Sequence, residues 1–227
     1  MTPSADRRLG PAFFRRHALV VARGLLGRRL VCDGPTGRRA GRIVEVEAYR
    51  GRHDPASHAF HGPTPRSAIM FGPPGFVYVY LSYGMHACMN LVAEPAGGAA
   101  AVLLRALEPL EGLAAMRAER PGIADHRLLS GPGNLARALG VGLSLDGADL
   151  ATGPLWVEAG RPARGPHAIA AGPRIGIRRA SRRPWRFFLA GHPSVSGPRR
   201  PPSGRSAPRR AATSRGRSPV DTPLTRS

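Results

Sequence analysis

The chain has 227 residues, and its 34 basic and 14 acidic side chains give it a formal net charge of +20. All of the basic residues are arginines, and so strong a charge indicates a polyanionic partner, with nucleic acid the first candidate. We expect no membrane-spanning helix, because no apolar run approaches ~18 residues, and two cysteines cannot build a disulfide framework.

The first third of the chain predicts one helix, two strands and a long loop. Apolar residues at helical spacing predict a helix over 13–26 that ends before Gly27. A strand over Arg29–Asp33, a turn over 34–37 and a strand over Gly41–Tyr49 follow. Histidine, proline and glycine are frequent over 51–75, which we expect to form a loop.

The rest of the chain continues with short elements of both kinds. Phe76–Ser82 and Met85–Val92 predict a hairpin that turns at Tyr83–Gly84. The further predicted elements are a strand over Ala100–Ala106, helices over Leu110–Arg117 and Leu135–Leu139, and strands over Leu155–Glu158, Arg174–Ile177 and Phe187–Ala190. Because these elements show no βαβ alternation, the predicted fold class is α+β: a single domain with a mainly antiparallel β-sheet flanked by helices.

The last thirty residues, 198–227, differ in composition from the rest of the chain. They contain eight arginines, one aspartate, six prolines and five serines, with almost no large apolar side chain. Such a segment buries too little apolar surface to offset the entropy of ordering, so we expect a disordered basic tail. Two interpretations of the tail stay open, a nonspecific DNA-binding segment and a solvated extension without a role.

The strand over 41–49 carries two carboxylates on one face. Alternation predicts a core face of Val44, Val46 and Ala48 and an opposite face of Ile43, Glu45, Glu47 and Tyr49. A pair of carboxylates on a solvated sheet face is ordinary. Beside a DNA surface, however, carboxylates would repel phosphate, so Glu45 and Glu47 call for an electrostatic partner or a catalytic role.

Arg105 interrupts the apolar strand over Ala100–Ala106. A guanidinium buried in a sheet needs a carboxylate or other acceptors. If the strands are neighbours, Glu47 or Glu45 is the expected partner. A purely structural pair is an equally open interpretation.

Three of the four tyrosines fall in the predicted hairpin. Tyr78 and Tyr80 alternate with apolar residues and could form cross-strand aromatic pairs. Tyr83 lies at the hairpin tip beside Gly84, where such pairing does not explain it. An exposed aromatic tip on a basic protein is typical of a wedge that enters a base stack.

Two further segments have a chemical and an ordinary interpretation. His53, Asp54, His58 and His61 lack the spacing of a zinc site, so we expect a polar loop and no metal or organic cofactor. The segment Gly131-Pro132-Gly133-Asn134 could hold a DNA phosphate with its backbone N–H groups, or form an ordinary helix cap.

Five segments, taken in order, resemble the alkyladenine (3-methyladenine) DNA glycosylase family. They are IVEVEAY from residue 43, DPASHAFHGPTPRSAIMF from 54, YVYLSYGMHACMN from 78, VLLRALEPLEG from 102 and LSGPGNLARAL from 129. The resemblance runs from about Leu9 to Ser196 and implies an alkylpurine DNA glycosylase domain over 9–197. Such an enzyme flips a damaged purine out of duplex DNA and hydrolyses its N-glycosidic bond, which leaves an abasic site for base excision repair.

The resemblance also implies roles for individual residues. Glu47 matches the general base that activates water, and Arg105 and the backbone carbonyl of Ile175 match groups that hold that water. The remaining matches are Tyr49, His58 and Tyr80 for the walls around the flipped base, Asn90 for the exclusion of guanine, Tyr83 for the side chain that fills the gap in the duplex, and Met85 and Thr64 for further DNA contacts.

The chemistry of the residues agrees with these roles. One carboxylate can stabilise an oxocarbenium-like sugar and deprotonate water, and a cationic alkylated base stacks favourably between aromatic rings. Because the chain has no lysine for a Schiff base, we expect monofunctional hydrolysis. The expected protein is a monomer that acts on double-stranded DNA containing damaged purines, without a membrane partner, in the cytoplasm or on a bacterial nucleoid.

Two other functions are alternatives to a glycosylase of this family. A non-enzymatic nucleic-acid-binding protein would use the charge and the tyrosines alone, and would need no carboxylate. A helix-hairpin-helix glycosylase would need a catalytic aspartate after the 131–134 segment; Asp146 and Asp149 lie there, but the surrounding sequence does not match.

Overall fold

The computed structural model describes residues 8–160, 162 and 165–197, and within them the chain forms four short helices and eight strands. The helices are α1 (Pro11–Phe14), α2 (Ala18–Leu25), α3 (Leu113–Glu119) and α4 (Pro132–Leu139). The strands are β1 (Arg29–Gly34), β2 (Gly37–Arg50), β3 (Val77–Ser82), β4 (His86–Ala93), β5 (Ala100–Glu111), β6 (Leu155–Val157), β7 (Ile169–Gly172) and β8 (Arg186–Leu189). The tail predicted over 198–227 lies outside the described residues.

All eight strands belong to one sheet, and every pair is antiparallel. The order along the sheet is β3-β4-β5-β2-β1-β6, with β8 paired to both β2 and β7. Strand β2 is long enough to pair with β1 through its first half and with β8 through Glu45, Val46 and Glu47. The predicted fold class, α+β with a mainly antiparallel sheet in a single domain, is confirmed.

The apolar face of β2 packs into the main hydrophobic core. Val44, Val46 and Ala48 are fully buried in one cluster with residues of α2 such as Val21 and Leu25. The predicted position of Ile43 on the opposite face is wrong, because this side chain is buried in the same cluster. The register between β2 and β5 shifts on both sides of Glu45, and such an irregularity breaks strict alternation.

Three helix predictions need correction at their ends. The helix predicted over 13–26 is two helices, since His17 caps α2 by accepting from the Leu19 amide. The helix predicted over Leu110–Arg117 begins only at Leu113, because β5 continues to Glu111 and Gly112 turns the chain at φ 81°. The helix predicted over Leu135–Leu139 begins at Pro132, which suits the first helical turn because its missing N–H would be unpaired there.

The strand predicted over Arg174–Ile177 is wrong, and β7 forms earlier, at Ile169–Gly172. The Arg174 side chain turns inward and is buried, and the Ile175 amide donates to a buried carboxylate instead of to a neighbouring strand. The hairpin prediction is confirmed: Tyr83 and Gly84 both adopt positive φ, at 51° and 72°, between β3 and β4.

In the part of the chain that the structure describes, no helix has the length and apolar character required to cross a bilayer.

Candidate active site

Glu47 lies on β2 with its side chain fully buried, and both of its carboxylate oxygens have partners. Oε1 accepts a 2.7 Å hydrogen bond from the Ile175 amide and lies 3.2 Å from Nη1 of Arg105. Oε2 accepts a 2.8 Å hydrogen bond from the Tyr49 hydroxyl. The group of Ile175 that the structure brings to Glu47 is thus the amide, whereas the sequence resemblance implied the carbonyl.

Arg105 connects the two carboxylates that the sequence analysis singled out. Its Nε donates to Glu45 Oε1 at 3.0 Å, while its Nη1 faces Glu47. The third nitrogen, Nη2, donates to the hydroxyl of Ser196 at 3.3 Å. The expected partnership with Glu47 or Glu45 therefore exists with both.

Burial has the largest effect on the ionisation of Glu47. It raises the pKa of Glu47, while Arg105, the Ile175 amide and the Tyr49 hydroxyl oppose the increase and nearby Glu45 adds to it. A carboxylate with a raised pKa is a stronger base than an ordinary one. The surroundings of Glu47 therefore suit proton abstraction.

A cavity of about 470 Å³ opens at Tyr49, the hydrogen-bond partner of Glu47. Five of the residues that the resemblance placed at the base or at the DNA gap line the cavity: Tyr49, His58, Tyr80, Tyr83 and Asn90. Glu47 and Arg105 are not among the described residues that line it, but the Tyr49 hydroxyl connects the cavity wall to Glu47. The volume is in the range of small-molecule pockets.

His58 and Tyr80 meet at one wall of the cavity. Their ring centroids are 4.6 Å apart in an edge-to-face arrangement, and His58 Nδ1 is 2.8 Å from the Tyr78 hydroxyl. Partial burial, and secondly the Arg66 guanidinium, lower the pKa of His58, which favours a neutral ring. Asn90 donates from Nδ2 to the Tyr78 carbonyl at 3.2 Å and is nearly fully buried.

A buried ion pair supports the Tyr49 wall from behind. The Arg174 guanidinium lies 4.5 Å from the Tyr49 ring centroid. It donates to Asp54 through two nitrogens and to the Ala48 carbonyl, and both side chains of the pair are 0 % exposed. Burial alone would raise the pKa of Asp54, but the hydrogen bonds and charge of Arg174 lower it.

The rim of the cavity carries the exposed part of the hairpin. Tyr83 is 89 % exposed and Met85 is 72 % exposed, so neither side chain contributes to the core. Thr64 is also exposed, and its hydroxyl lies 2.9 Å from that of Ser67. Thr64 and Met85 lie outside the lining of the cavity as the described residues define it.

Sequence reasoning missed several members of the site. Arg174 and Asp54 are 120 residues apart, and Ser196 is 151 residues from Glu45, so local patterns could not reveal these contacts. Arg186 is an arginine beside two phenylalanines in a late strand, which is the same signal that drew attention to Arg105. Among the described residues, no group of histidine, cysteine and acidic side chains could hold a metal ion.

Comparison with known proteins identifies the class to which this fold and site belong. Residues 12–193 match the family model described as methylpurine-DNA glycosylase (MPG). A protein of Frankia casuarinae is 50% identical over 203 residues, which cover 85% of this chain and 93% of the relative. A Rhodopseudomonas palustris protein is 52% identical, with 86% of this chain and 95% of the relative covered, and a Burkholderia lata protein is 51% identical, with 82% and 90% covered.

All three relatives carry the name "Putative 3-methyladenine DNA glycosylase". The comparisons therefore place the chain in the class of DNA glycosylases. The chain belongs to the methylpurine-DNA glycosylase family, which confirms both the resemblance found in the sequence and the predicted enzyme class.

Proposed function

We propose that the protein is a monofunctional glycosylase that flips alkylated or deaminated purines out of duplex DNA and hydrolyses their N-glycosidic bond. One observation carries the proposal: the fully buried Glu47 is joined through the Tyr49 hydroxyl to an aromatic cavity large enough for a purine. The contact supports the proposal because it links a buried proton acceptor to a space in which a base can bind.

In the proposed mechanism Glu47 takes a proton from water. A carboxylate has about four acceptor positions, so Oε2 retains one for water beside the Tyr49 hydroxyl. The resulting hydroxide attacks C1′ of the sugar as the bond to the purine breaks and its electron pair leaves with the base. The negative Glu47 also stabilises the positive charge that develops on the sugar.

Arg105 has a supporting part in this mechanism. It keeps Glu47 in place and, with its positive charge, opposes the increase in the pKa of Glu47 that burial causes, which favours the ionised form. With the Ile175 amide on the same oxygen, Arg105 leaves Oε2 as the oxygen directed towards the cavity wall.

The cavity walls suit a purine that carries positive charge. A base alkylated at N3 or N7 is cationic, and stacking against Tyr49, His58 and Tyr80 stabilises it by cation–π attraction of up to ~2 kcal/mol when it is desolvated. The same base leaves as a neutral purine, so no strong acid catalyst is needed. Asn90, nearly fully buried at the cavity, is the residue proposed to crowd the 2-amino group of guanine.

The exposed hairpin suits the flipping step. Unstacking a nucleotide costs a few kcal/mol, and insertion of the Tyr83 ring into the vacated space offsets part of that cost. We propose Met85 and Thr64 as additional contacts to the DNA. Both side chains are exposed, and both residues lie in segments that border the cavity. The net charge of +20 supplies affinity for phosphate.

Base release from methylated duplex DNA tests the proposal directly. Wild-type protein, Glu47→Gln and Glu119→Gln are compared in single turnover, where Glu119 is a surface carboxylate of α3 whose ion pair with Arg137 is 3.8 Å long. We expect release by the wild type and by Glu119→Gln, and none by Glu47→Gln. Release by Glu47→Gln at the wild-type rate would refute its role as the base.

Strand integrity tests monofunctionality separately. A glycosylase that forms a Schiff base also nicks the strand, usually through lysine, and this chain has none. We expect abasic DNA that remains intact until it is treated with alkali. Nicks that form together with base release would contradict this part of the proposal.

A further inference from the structure

A second carboxylate, Glu45, is as deeply buried as Glu47 and has no part in the mechanism above. Its side chain is 0 % exposed and accepts three hydrogen bonds. Nε of Arg105 donates to Oε1 at 3.0 Å, Nε of Arg186 donates to the same oxygen at 2.6 Å, and the Ser196 amide donates to Oε2 at 2.6 Å. Glu45, Glu47, Arg105 and Arg186 therefore form one network of two carboxylates and two guanidinium groups, in which only Arg186 is partly exposed.

The geometry of the network fixes the orientation of Arg105. Its guanidinium uses Nε for Glu45, Nη1 for Glu47 and Nη2 for Ser196, so each nitrogen has a separate partner on one planar fork. Arg186 is held in turn, because it donates to the Ser196 carbonyl at 3.0 Å and lies over the Phe188 ring. Without Glu45, Arg105 would have Glu47 as its only carboxylate partner in the network.

We propose that Glu45 and Arg186 are positioning residues for base release, which hold the Arg105 guanidinium across both carboxylates and so set the orientation of Glu47. The inference rests on the proposed role of Glu47 as the base. Glu45 acts through Arg105, and Arg186 acts through Glu45; neither lines the cavity. Because Arg105 pairs with Glu45 as well as with Glu47, it holds Glu47 less strongly in the ionised form than an exclusive partner would, and Glu47 can still accept a proton.

The groups that face Glu47 come from three strands and one loop. Glu45 and Tyr49 lie on β2 itself, Arg105 comes from β5, Arg186 lies opposite Glu47 in the register of β8, and the loop after β7 supplies the Ile175 amide. Loss of the negative charge of Glu45 stabilises the ionised form of Glu47, whereas loss of the positive charge of Arg186 destabilises it. Removal of the two charges should therefore shift the pKa of Glu47 in opposite directions.

The pH dependence of single-turnover base release tests the proposal. In Glu45→Gln we expect the acidic limb of the profile to move to lower pH and the plateau rate to fall by ~10- to 100-fold, since displacement of a reacting group by about an ångström costs about 100-fold. In Arg186→Met we expect the limb to move to higher pH. Plateau rates that stay at the wild-type value in both folded variants would overturn the proposal, whatever the position of the limbs, because Glu47 would then be oriented equally well without Glu45 or Arg186.

Two further variants cover the case in which a single substitution prevents folding. Glu45→Gln/Arg186→Met removes both charges together, so no unpaired buried charge remains; its limb should return towards wild type while its plateau stays low. Ser196→Ala removes the hydroxyl that accepts from Arg105 and keeps the amide that donates to Glu45, and its plateau should fall several-fold with the limb unmoved. Wild-type plateau rates in both variants would also overturn the proposal.

Failure of the inference can be told apart from failure of the proposed function. Glu47→Gln is measured in the same series, and a wild-type rate in that variant refutes the role of Glu47 itself. An inactive Glu47→Gln together with wild-type plateau rates in Glu45→Gln and Arg186→Met refutes only the positioning role of Glu45 and Arg186. Folding of each variant is checked by its thermal unfolding transition.

Discussion

The hydroxyl of Tyr49 donates a 2.8 Å hydrogen bond to Oε2 of Glu47, two residues earlier on the same strand. Residues at this spacing share one face of a strand, so the cavity-wall residue and the carboxylate that it contacts are placed by a single element. Burial and the charge of Glu47 raise the pKa of Tyr49 well above its usual value, so the hydroxyl is a donor at every working pH. The Tyr49 hydroxyl of the cavity wall therefore lowers the pKa of Glu47 relative to burial alone.

Tyr49→Phe should move the pH profile of base release without removing the ring. The hydroxyl stabilises the ionised form of Glu47, so its loss raises the pKa of Glu47 further. Activity needs the carboxylate, and the acidic limb should therefore move to higher pH while release at alkaline pH is largely retained. Single-turnover rates across pH measure the shift.

A matched variant shows whether the effect belongs to the hydrogen bond of Tyr49 or to the loss of any phenol from the cavity wall. Tyr80→Phe also removes a phenol from the cavity wall, but no contact of Tyr80 with Glu47 is present among the described residues. The Tyr80→Phe profile should keep the wild-type limb. A Tyr49→Phe limb at the wild-type position would show that the hydrogen bond has no influence on the base.

Local patterns in the sequence were enough to predict the strand over 41–49 with Glu45 and Glu47 on one face, and the tyrosine hairpin; the role of Glu47 as the base came from the family resemblance and stays a prediction. Alternation over 41–49 and the isolated arginine in β5 are signals carried by neighbouring residues, and the Tyr83–Gly84 turn is favoured by the glycine itself. Each of these features depends on residues close together in the chain. The sequence therefore predicts them without knowledge of the tertiary structure.

The contacts around Arg174 and Ile175 could not be predicted in the same way. Arg174 pairs with Asp54 and the Ile175 amide binds Glu47, across 120 and 128 residues of chain. These tertiary contacts replace the strand that the apolar spacing over 174–177 predicted. Ile43 was assigned to the wrong face for a related reason, since a shift in the pairing of β2 with β5 is invisible in a pattern of alternation.

Asp54→Asn should destabilise the protein far more than Asp125→Asn. Both aspartates accept from an arginine through two nitrogens, but the Arg174–Asp54 pair is 0 % exposed, whereas Arg117 and Asp125 are 55 % and 47 % exposed. Loss of one partner from a buried pair costs about 3–5 kcal/mol because a charge is left uncompensated. An exposed pair contributes far less, because water and salt screen both charges. Denaturant unfolding at pH 7 measures both.

The same comparison has a defined pH dependence. The pKa of Asp54 is lowered in the folded protein, so its contribution to stability is present above the usual aspartate pKa and is lost as the pH falls through the lowered value. The difference in unfolding free energy between wild type and Asp54→Asn should therefore shrink on acidification. Equal losses for Asp54→Asn and Asp125→Asn would contradict the importance assigned to burial.

Tyr83→Gly should separate stability from function. Tyr83 is 89 % exposed and has φ 51°, a left-handed conformation that glycine adopts without the cost paid by other residues. We expect an unfolding free energy that is unchanged or raised by up to about 1 kcal/mol. Base release should nevertheless fall, because the ring that offsets the cost of unstacking is missing.

The corresponding control is Tyr83→Phe, which keeps the ring and loses only an exposed hydroxyl. Its base release should match that of the wild type. Fluorescence of an ethenoadenine lesion, which increases when the base leaves the stack, reports the flipping step separately from bond cleavage. Unimpaired flipping by Tyr83→Gly would remove Tyr83 from the proposed DNA contacts.

A protein that ends at Gly197 should keep its chemistry and lose affinity for DNA at low salt. Every residue assigned to the site lies within 8–197, while 198–227 contribute eight arginines against one aspartate. Each phosphate neutralised contributes about −0.9 to the slope of log K against log salt, so the shortened protein should show a shallower slope. At saturating protein its rate of base release should equal that of the full chain. Equal slopes would favour the interpretation of 198–227 as an extension without a role in binding, and a lower saturated rate would place part of the active site in 198–227.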